Sequence, residues 1–221
     1  AGTDPLDADS NPRVEGNFFF VVPFERDPRP EKDTLVFSTT LKHADVYFLV
    51  DTTGSMGGEI NDLKASLAST IIPGMADAIP DLWIGMGFFD DYPYDPYGWF
   101  GDWTYLNLQN LDPDPEKAQA AAMFLCPHTG GDGPESLVVA LWTVATGDAC
   151  YTSPMLAAAA CPPEHFGYPC FRKGSVPIII LISDAMFHNG PGGSNPYGFG
   201  PTYAETVMAL TGGPTSGAGI K

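Results

Sequence analysis

Three oxygen-bearing side chains alternate along Asp51-Thr52-Thr53-Gly54-Ser55, directly after the apolar run Val46-Tyr47-Phe48-Leu49-Val50. A buried strand ending there delivers a carboxylate (Asp51) and two hydroxyls (Thr53, Ser55) to its C-terminal end. Gly54 lets the following loop turn tightly. Two further segments carry the same chemistry. One is the glycine-rich stretch Thr129-Gly130-Gly131-Asp132-Gly133-Pro134-Glu135-Ser136, and the other is Ile182-Ser183-Asp184 at the end of the apolar run 176–182. Hard oxygen donors brought to one point suit Mg²⁺, Ca²⁺ or Mn²⁺ rather than a soft metal. Thr53 and Ser55 can bind such an ion directly, and Asp51 and Asp184 directly or through water. An octahedral ion keeps waters, and one exchangeable position would let a partner's carboxylate complete the shell. Each residue alone has a plainer role: Asp51 against a helix dipole, Thr53 and Ser55 as caps, Asp132 and Glu135 at the start of a helix after Pro134. The three segments together favour a metal.

Strands must alternate with helices to bring these segments to one edge. Continuous apolar runs at 46–50 and 176–182 read as strands buried on both faces, 82–89 as the next strand and 105–108 as another. Helical patterns cover 58–79, where Pro73 should kink or split the helix, then 114–125, 136–146 and 203–210. The stretch 148–175 is irregular, with a short helix expected at 155–160. The fold class is therefore α/β, a Rossmann-like, mostly parallel central sheet flanked by helices. In such sheets ligands bind outside the carboxyl ends of the strands, where Asp51 and Asp184 stand. Ahead of this, 1–16 reads as a polar tail, and apolar segments at 17–24 and 34–40 read as an N-terminal β-hairpin extension occupying 17–44. The main domain then runs over 45–221.

A net charge of −17 on 221 residues leaves no basic surface for nucleic acid or for an anionic membrane. The 44% hydrophobic content supports a packed core. No apolar run approaches the ~20 residues of a membrane span. Cys126, Cys150, Cys161 and Cys170 lack metal-ligand spacing and favour disulfides, with Cys161–Cys170 the favoured pair because it closes a short turn-rich loop. That places the chain in an oxidising compartment: extracellular or at the cell surface, with the periplasm as a variant, and any secretory leader already removed.

The segment 88–103 is rich in aromatics, prolines and aspartates. Tyr94, Tyr97 and Trp99 are its candidate partner contacts, against a self-packed loop as the alternative. Asp90, Asp91 and Asp95 are candidates for a second Ca²⁺. His43, His128, His165 and His188 share no spacing and read as structural rather than as ligands, and Trp83 and Trp142 read as core.

Asp51-Thr52-Thr53-Gly54-Ser55, the acidic glycine-rich loop and Asp184 in Leu181-Ile182-Ser183-Asp184-Ala185, in this order, resemble the von Willebrand factor type A family. That family carries D-x-[ST]-x-S after its first core strand. A Thr or an acidic residue follows in a second loop, and an Asp lies at a later strand end. The resemblance covers roughly 45–221. It implies a metal-ion-dependent adhesion site that captures an acidic side chain of a protein ligand or neighbouring subunit, and a domain lacking its last strand and helix. The coordinating position in the second loop stays open between Asp132, Glu135 and Thr129. A surface filament or matrix subunit with a fold-stabilising metal is the alternative. Enzyme readings fit less well. Aspartic proteases need a second D-[ST]-G loop, and aspartyl-phosphate enzymes need a Lys where Thr52 stands.

Overall fold

The computed structural model describes residues 41–128, 130–197 and 199–212. The chain divides into two units, Ala1–Thr40 and Leu41–Lys221, and only the second falls within these limits. The expected tail, the hairpin at 17–40, Thr129 and the final segment 213–221 lie outside the described residues.

From the N-terminal side the elements are β1 (His43–Asp51), a single 3-10 turn (Gly54–Met56), α1 (Gly57–Ser66), a wide π turn (Leu67–Ile71), α2 (Ile72–Ala78) and β2 (Asp81–Phe89). There follow β3 (Leu106–Asp112), α3 (Pro115–Ala122), β4 (Pro134–Glu135) and α4 (Leu137–Thr146). The last elements are β5 (His165–Phe166), β6 (Phe171–Arg172), β7 (Val176–Ile182), β8 (Met186–Phe187) and α5 (Tyr203–Leu210). The main sheet has the order β3-β2-β1-β7. β1 runs parallel to β2 and to β7, and β3 is antiparallel to β2. This is the mostly parallel α/β architecture that the alternation implies.

β1 sits inside the sheet with both faces covered, so its residues from Ala44 onward are all buried. Alternation sends Val46, Phe48 and Val50 to one face, against α1, α2 and α3 through Ile60, Leu63, Ile72 and Ala118. Tyr47 and Leu49 point to the other face, with Phe89, Leu137, Ala140 and Val144. Tyr47 is large for a central strand, and β2 makes room for it. A Cβ on Gly87 would lie 2.1 Å from the Tyr47 hydroxyl oxygen. That hydroxyl donates to Asn107 Oδ1 at 2.8 Å and meets the Tyr105 hydroxyl at 2.8 Å.

Several local expectations are corrected, but the helix expected over 58–79 is split into α1 and α2, one of the two outcomes expected from Pro73. The π turn precedes it and widens the backbone where Pro73 lacks an N–H and its ring would strike the preceding turn. The strand expected at 105–108 extends to Asp112 and is antiparallel, because no helix intervenes between Phe89 and Leu106 to carry a parallel crossover. Residues 155–160 form no helix. The Leu156 amide donates to Thr152 Oγ1 at 2.9 Å and the Ala159 amide to the Gly147 carbonyl at 2.9 Å, so these groups are committed elsewhere. Trp83 and Trp142 are only half-buried. Trp83 packs against the edge of the core beside Tyr47 and Phe171 and also stacks under the Arg172 guanidinium, 4.3 Å away.

Cys161 and Cys170 form the favoured disulfide, with Cα atoms 5.3 Å apart. Cys126 and Cys150 form no second bridge; both are exposed free thiols. At the N-terminal edge of the sheet, Arg172 donates from its amide (2.6 Å) and Nε (2.7 Å) to the fully buried Asp45, and from a terminal nitrogen to Asp81 (2.8 Å). Among the described residues no helix is long and apolar enough to cross a membrane.

Candidate metal centre

β1 and β7 end side by side, and their last residues meet. Asp51 Oδ1 accepts from the Thr53 amide (2.9 Å) and the Thr53 hydroxyl (2.7 Å), while its Oδ2 accepts from the Ser183 hydroxyl (2.7 Å). The Ser55 hydroxyl donates to Asp184 Oδ1 at 2.9 Å. Asp51 and Thr53 are buried, whereas Ser55 and Asp184 are exposed, so the cluster opens to solvent on one side. Thr52 turns the other way. Its hydroxyl donates to Asp90, whose second oxygen lies 2.8 Å from His128 Nδ1, and its carbonyl accepts from the His128 amide at 2.6 Å. This buried brace fixes the loop from beneath.

Glu135 arrives from β4, which pairs with β8 just beyond Asp184. It is 5% exposed, and its Oε2 has no hydrogen-bond partner. Burial, then the charges of Asp51 and Asp91, push its carboxyl up to about 9, with the Thr53 hydroxyl offsetting part of this. Burial also raises Asp51, against the hydrogen bonds from Thr53 and Ser183, and Asp184 adds to the rise. The Lys and Arg ion pairs of the described residues lie elsewhere, on Asp112, Asp45, Asp81 and Glu164. Asp51 feels the Asp184 charge and Glu135 the Asp51 charge, with no Lys or Arg among the described residues paired to any of them, and a dication would offset that repulsion; as placed, though, the three carboxylates form no group with ligand atoms within 4.8 Å of one another.

Asp132, whose charge also acts on Glu135, makes its nearer contacts on the other side. It joins Asp91 and His188 in a group whose ligand atoms lie within 4.8 Å of one another and can hold a metal ion. His188, read from the sequence as structural, is thus part of a metal-capable group. Isolated after Met186-Phe187, it carries no spacing signal; only the β4–β8 pairing aligns it with the glycine-rich loop. Of the three aspartates considered for a second ion, only Asp91 belongs to this group. Asp90 is occupied by the Thr52–His128 brace, and Asp95 is exposed on the loop.

The aromatic segment lies against the same loop. The Gly131 and Asp132 amides donate to the Tyr97 carbonyl at 3.0 and 2.9 Å, and Trp99 Nε1 donates to the Gly130 carbonyl at 2.9 Å. A Cβ on Gly131 would sit 2.5 Å from the Tyr97 carbonyl oxygen, so the close approach requires glycine. Tyr97 is half-buried and packs edge-on against His188, with ring centroids 5.0 Å apart. Tyr94 and Trp99 are exposed, and so is Phe100, which the sequence did not single out and which is 99% exposed.

No family model matches the chain, and no curated protein matches it. Among solved structures, a crystal structure of the pilus adhesin SpaC from Lactobacillus rhamnosus GG aligns with 19% identity and a TM-score of 0.38, over 69% of this chain and 16% of that one. A structure of the same adhesin in an open conformation gives 20% identity and a TM-score of 0.37, over 66% of this chain and 15% of that one. The chain therefore spans only a small part of the length of the proteins it aligns with.

Proposed function

We propose that this chain is an extracellular, von Willebrand A-type binding domain that holds Mg²⁺, Ca²⁺ or Mn²⁺ at Asp51, Thr53, Ser55, Glu135 and Asp184. Through that ion it captures a carboxylate of a protein partner or neighbouring subunit. The observation that supports the reading is that two distant segments meet on one edge, Ser55 on Asp184 and Ser183 on Asp51, with the buried Glu135, one oxygen unpartnered, feeling the Asp51 charge and the Thr53 hydroxyl. The donors are all oxygens, which fits a hard dication. Of the alternatives for the second loop, the proximity to Asp51 and Thr53 favours Glu135 over Asp132. Exposed Ser55 and Asp184 leave a solvent side on which a partner's acid can replace water, and the exposed Tyr94 and Trp99 supply an adjoining contact surface. The disulfide supports an oxidising location.

A second reading, an ion that only locks the fold of a surface-assembly subunit, is favoured by the burial of Asp51 and Glu135. Mn²⁺ separates the two. Titration of chelator-treated protein with Mn²⁺ should give saturable binding that Asp51→Asn abolishes, and water-proton relaxation should reveal an exchangeable water that added acetate displaces. Saturable binding with no exchangeable water leaves the fold-locking reading; no binding removes both.

A further inference from the structure

We infer that Asp91, Asp132 and His188 form a separate cation site that takes a borderline first-row dication of the Zn²⁺ class rather than Mg²⁺ or Ca²⁺. The inference does not depend on an ion at Asp51.

His188 Nδ1 lies 3.2 Å from the Asn195 carbonyl oxygen. A carbonyl can only accept, so Nδ1 carries a proton and, in the neutral ring, Nε2 presents its lone pair. That lone pair faces Asp91 Oδ2 at 3.5 Å and Asp132 Oδ1 at 3.4 Å. Three electron-rich atoms therefore confront each other. His188 is 3% exposed and Asp91 0%, and neither His188 Nε2 nor Asp91 Oδ2 has a hydrogen-bond partner. A shared proton or a cation must lie among them: a proton on Nε2, a proton on the Asp91 carboxyl, which burial pushes up to about 6, or a metal ion. A proton bridging an imidazolium and a carboxylate draws them to about 2.7–2.9 Å. The two gaps from Nε2 are wider, and both fall on the ligand–ligand edge, roughly 3.3–3.6 Å, of a tetrahedron with bonds of about 2.0–2.2 Å, while all three ligand atoms lie within 4.8 Å of one another.

The ligands are also held in place beforehand. Asp91 Oδ1 accepts from the Tyr92 amide at 2.7 Å, the Asp132 amide donates to the Tyr97 carbonyl at 2.9 Å, and the His188 amide donates to the Glu135 carbonyl at 2.8 Å. The imidazole is wedged edge-on between Tyr97 and Tyr197, with centroids 5.0 and 5.6 Å away. The Nδ1 bond to a backbone carbonyl is the kind of outer contact that orients a metal-bound histidine. An imidazole ligand selects Zn²⁺-like ions, whereas oxygen-only sites suit Mg²⁺ and Ca²⁺. The Asp132 side chain is 32% exposed, which leaves an entrance and room for water as a fourth ligand. An ion here would tie the end of β2, the glycine-rich loop and the segment after β8 together, fixing the aromatic loop beside the Asp51 cluster.

The test uses the full chain carrying Cys126→Ser and Cys150→Ser, so that exposed thiols bind no metal. After EDTA treatment and dialysis, Zn²⁺ is titrated in the presence of millimolar Mg²⁺, with Co²⁺ as a spectroscopic stand-in. One Zn²⁺ per chain is expected, together with visible Co²⁺ absorption of tetrahedral type. Both should weaken at least tenfold in His188→Gln and in Asp132→Asn and survive in Asp51→Asn. Asp132→Asn lies on an exposed loop and keeps the test valid if His188→Gln does not fold. Absence of saturable Zn²⁺ uptake, or uptake equal in Asp132→Asn and its parent, or uptake lost only in Asp51→Asn, overturns the inference. Absence of saturable Mn²⁺ binding in the parent chain, with Zn²⁺ uptake intact, would instead overturn only the proposed function.

Discussion

The Ser55 hydroxyl donates to Asp184 across 129 residues of sequence, at 2.9 Å. The bond joins the loop after β1 to the end of β7, and both partners are exposed. An exposed bond of this kind contributes only about 0.5–1.5 kcal/mol to stability. Its significance is positional, since it marks where two strand ends present oxygens to one point.

Ser55→Ala and Asp184→Asn should therefore weaken Mn²⁺ binding about tenfold or more while lowering stability by no more than about 1 kcal/mol. Calorimetric titration and urea unfolding on the same samples check both. A stability loss of several kcal/mol with unaltered Mn²⁺ affinity would contradict the metal reading of this edge.

Glu135 makes the metal-free protein sensitive to pH. Burial and the neighbouring acids raise its carboxyl to about 9, and burial, against contacts from His188 and Tyr92, raises Asp91 to about 6. A carboxyl whose folded value exceeds its unfolded value of about 4 binds more protons when folded. Stability from it is then fully present below about pH 4 and declines as pH rises towards the folded value. The thermal midpoint of EDTA-treated protein should thus fall between pH 5 and pH 8. Added Mg²⁺ should raise it most at pH 8, where a dication replaces the missing proton. Glu135→Gln should flatten the metal-free profile, raise metal-free stability at pH 8 by about 1–3 kcal/mol and remove most of the Mg²⁺ effect. Calorimetric melting across this range decides it.

The α/β alternation with a mostly parallel sheet, and the placing of Asp51 and Asp184 at strand ends, were legible because apolar runs buried on both faces leave an unbroken pattern that ends in a carboxylate. What could not be read locally was whatever depends on pairing. β3 carries Asn107, Gln109 and Asn110 on a half-exposed edge, so its pattern is too polar to announce a strand beyond Leu108. His188 gains its role only because β8 lies beside β4, and that register exists in space rather than in spacing. Asp132 and Glu135 are three residues apart in sequence, yet the chain turns between them and sends one to His188 and the other towards Asp51. The second cysteine pair failed for the converse reason. An even count suggests bridges, but the fold leaves Cys126 and Cys150 separately exposed.

Gly87 should tolerate no side chain. A Cβ there would lie 2.1 Å from the Tyr47 hydroxyl oxygen and 2.8 Å from the Leu106 carbonyl, in a region where neither strand can retreat without breaking the β2–β3 ladder. Gly87→Ala should cost about 1–3 kcal/mol through overpacking. Tyr47→Phe in the same chain should restore part of that loss by removing the nearest atom. Chemical denaturation of the single and double variants measures the coupling, and strictly additive losses would refute the proposed clash.

Arg172 tests whether the two ends of the sheet are energetically independent. It holds the fully buried Asp45 through three contacts, the amide at 2.6 Å, Nε at 2.7 Å and a terminal nitrogen at 2.6 Å, at the end of β1 opposite Asp51. Arg172→Met keeps much of the apolar stem but leaves Asp45 with the Arg172 amide and no counter-charge, and breaking a buried pair in this way costs about 3–5 kcal/mol. Asp45→Asn added to it should recover a large part, because the uncompensated charge rather than the lost contact dominates the penalty. Mn²⁺ affinity should stay within about twofold of the parent in both variants, since the ion pair and the Asp51 cluster are joined only through the rigid length of β1. Unfolding free energies from urea melts and Mn²⁺ isotherms together settle the point. A variant that is both destabilised and unable to bind Mn²⁺ at temperatures where it remains folded would show that the two ends are coupled after all.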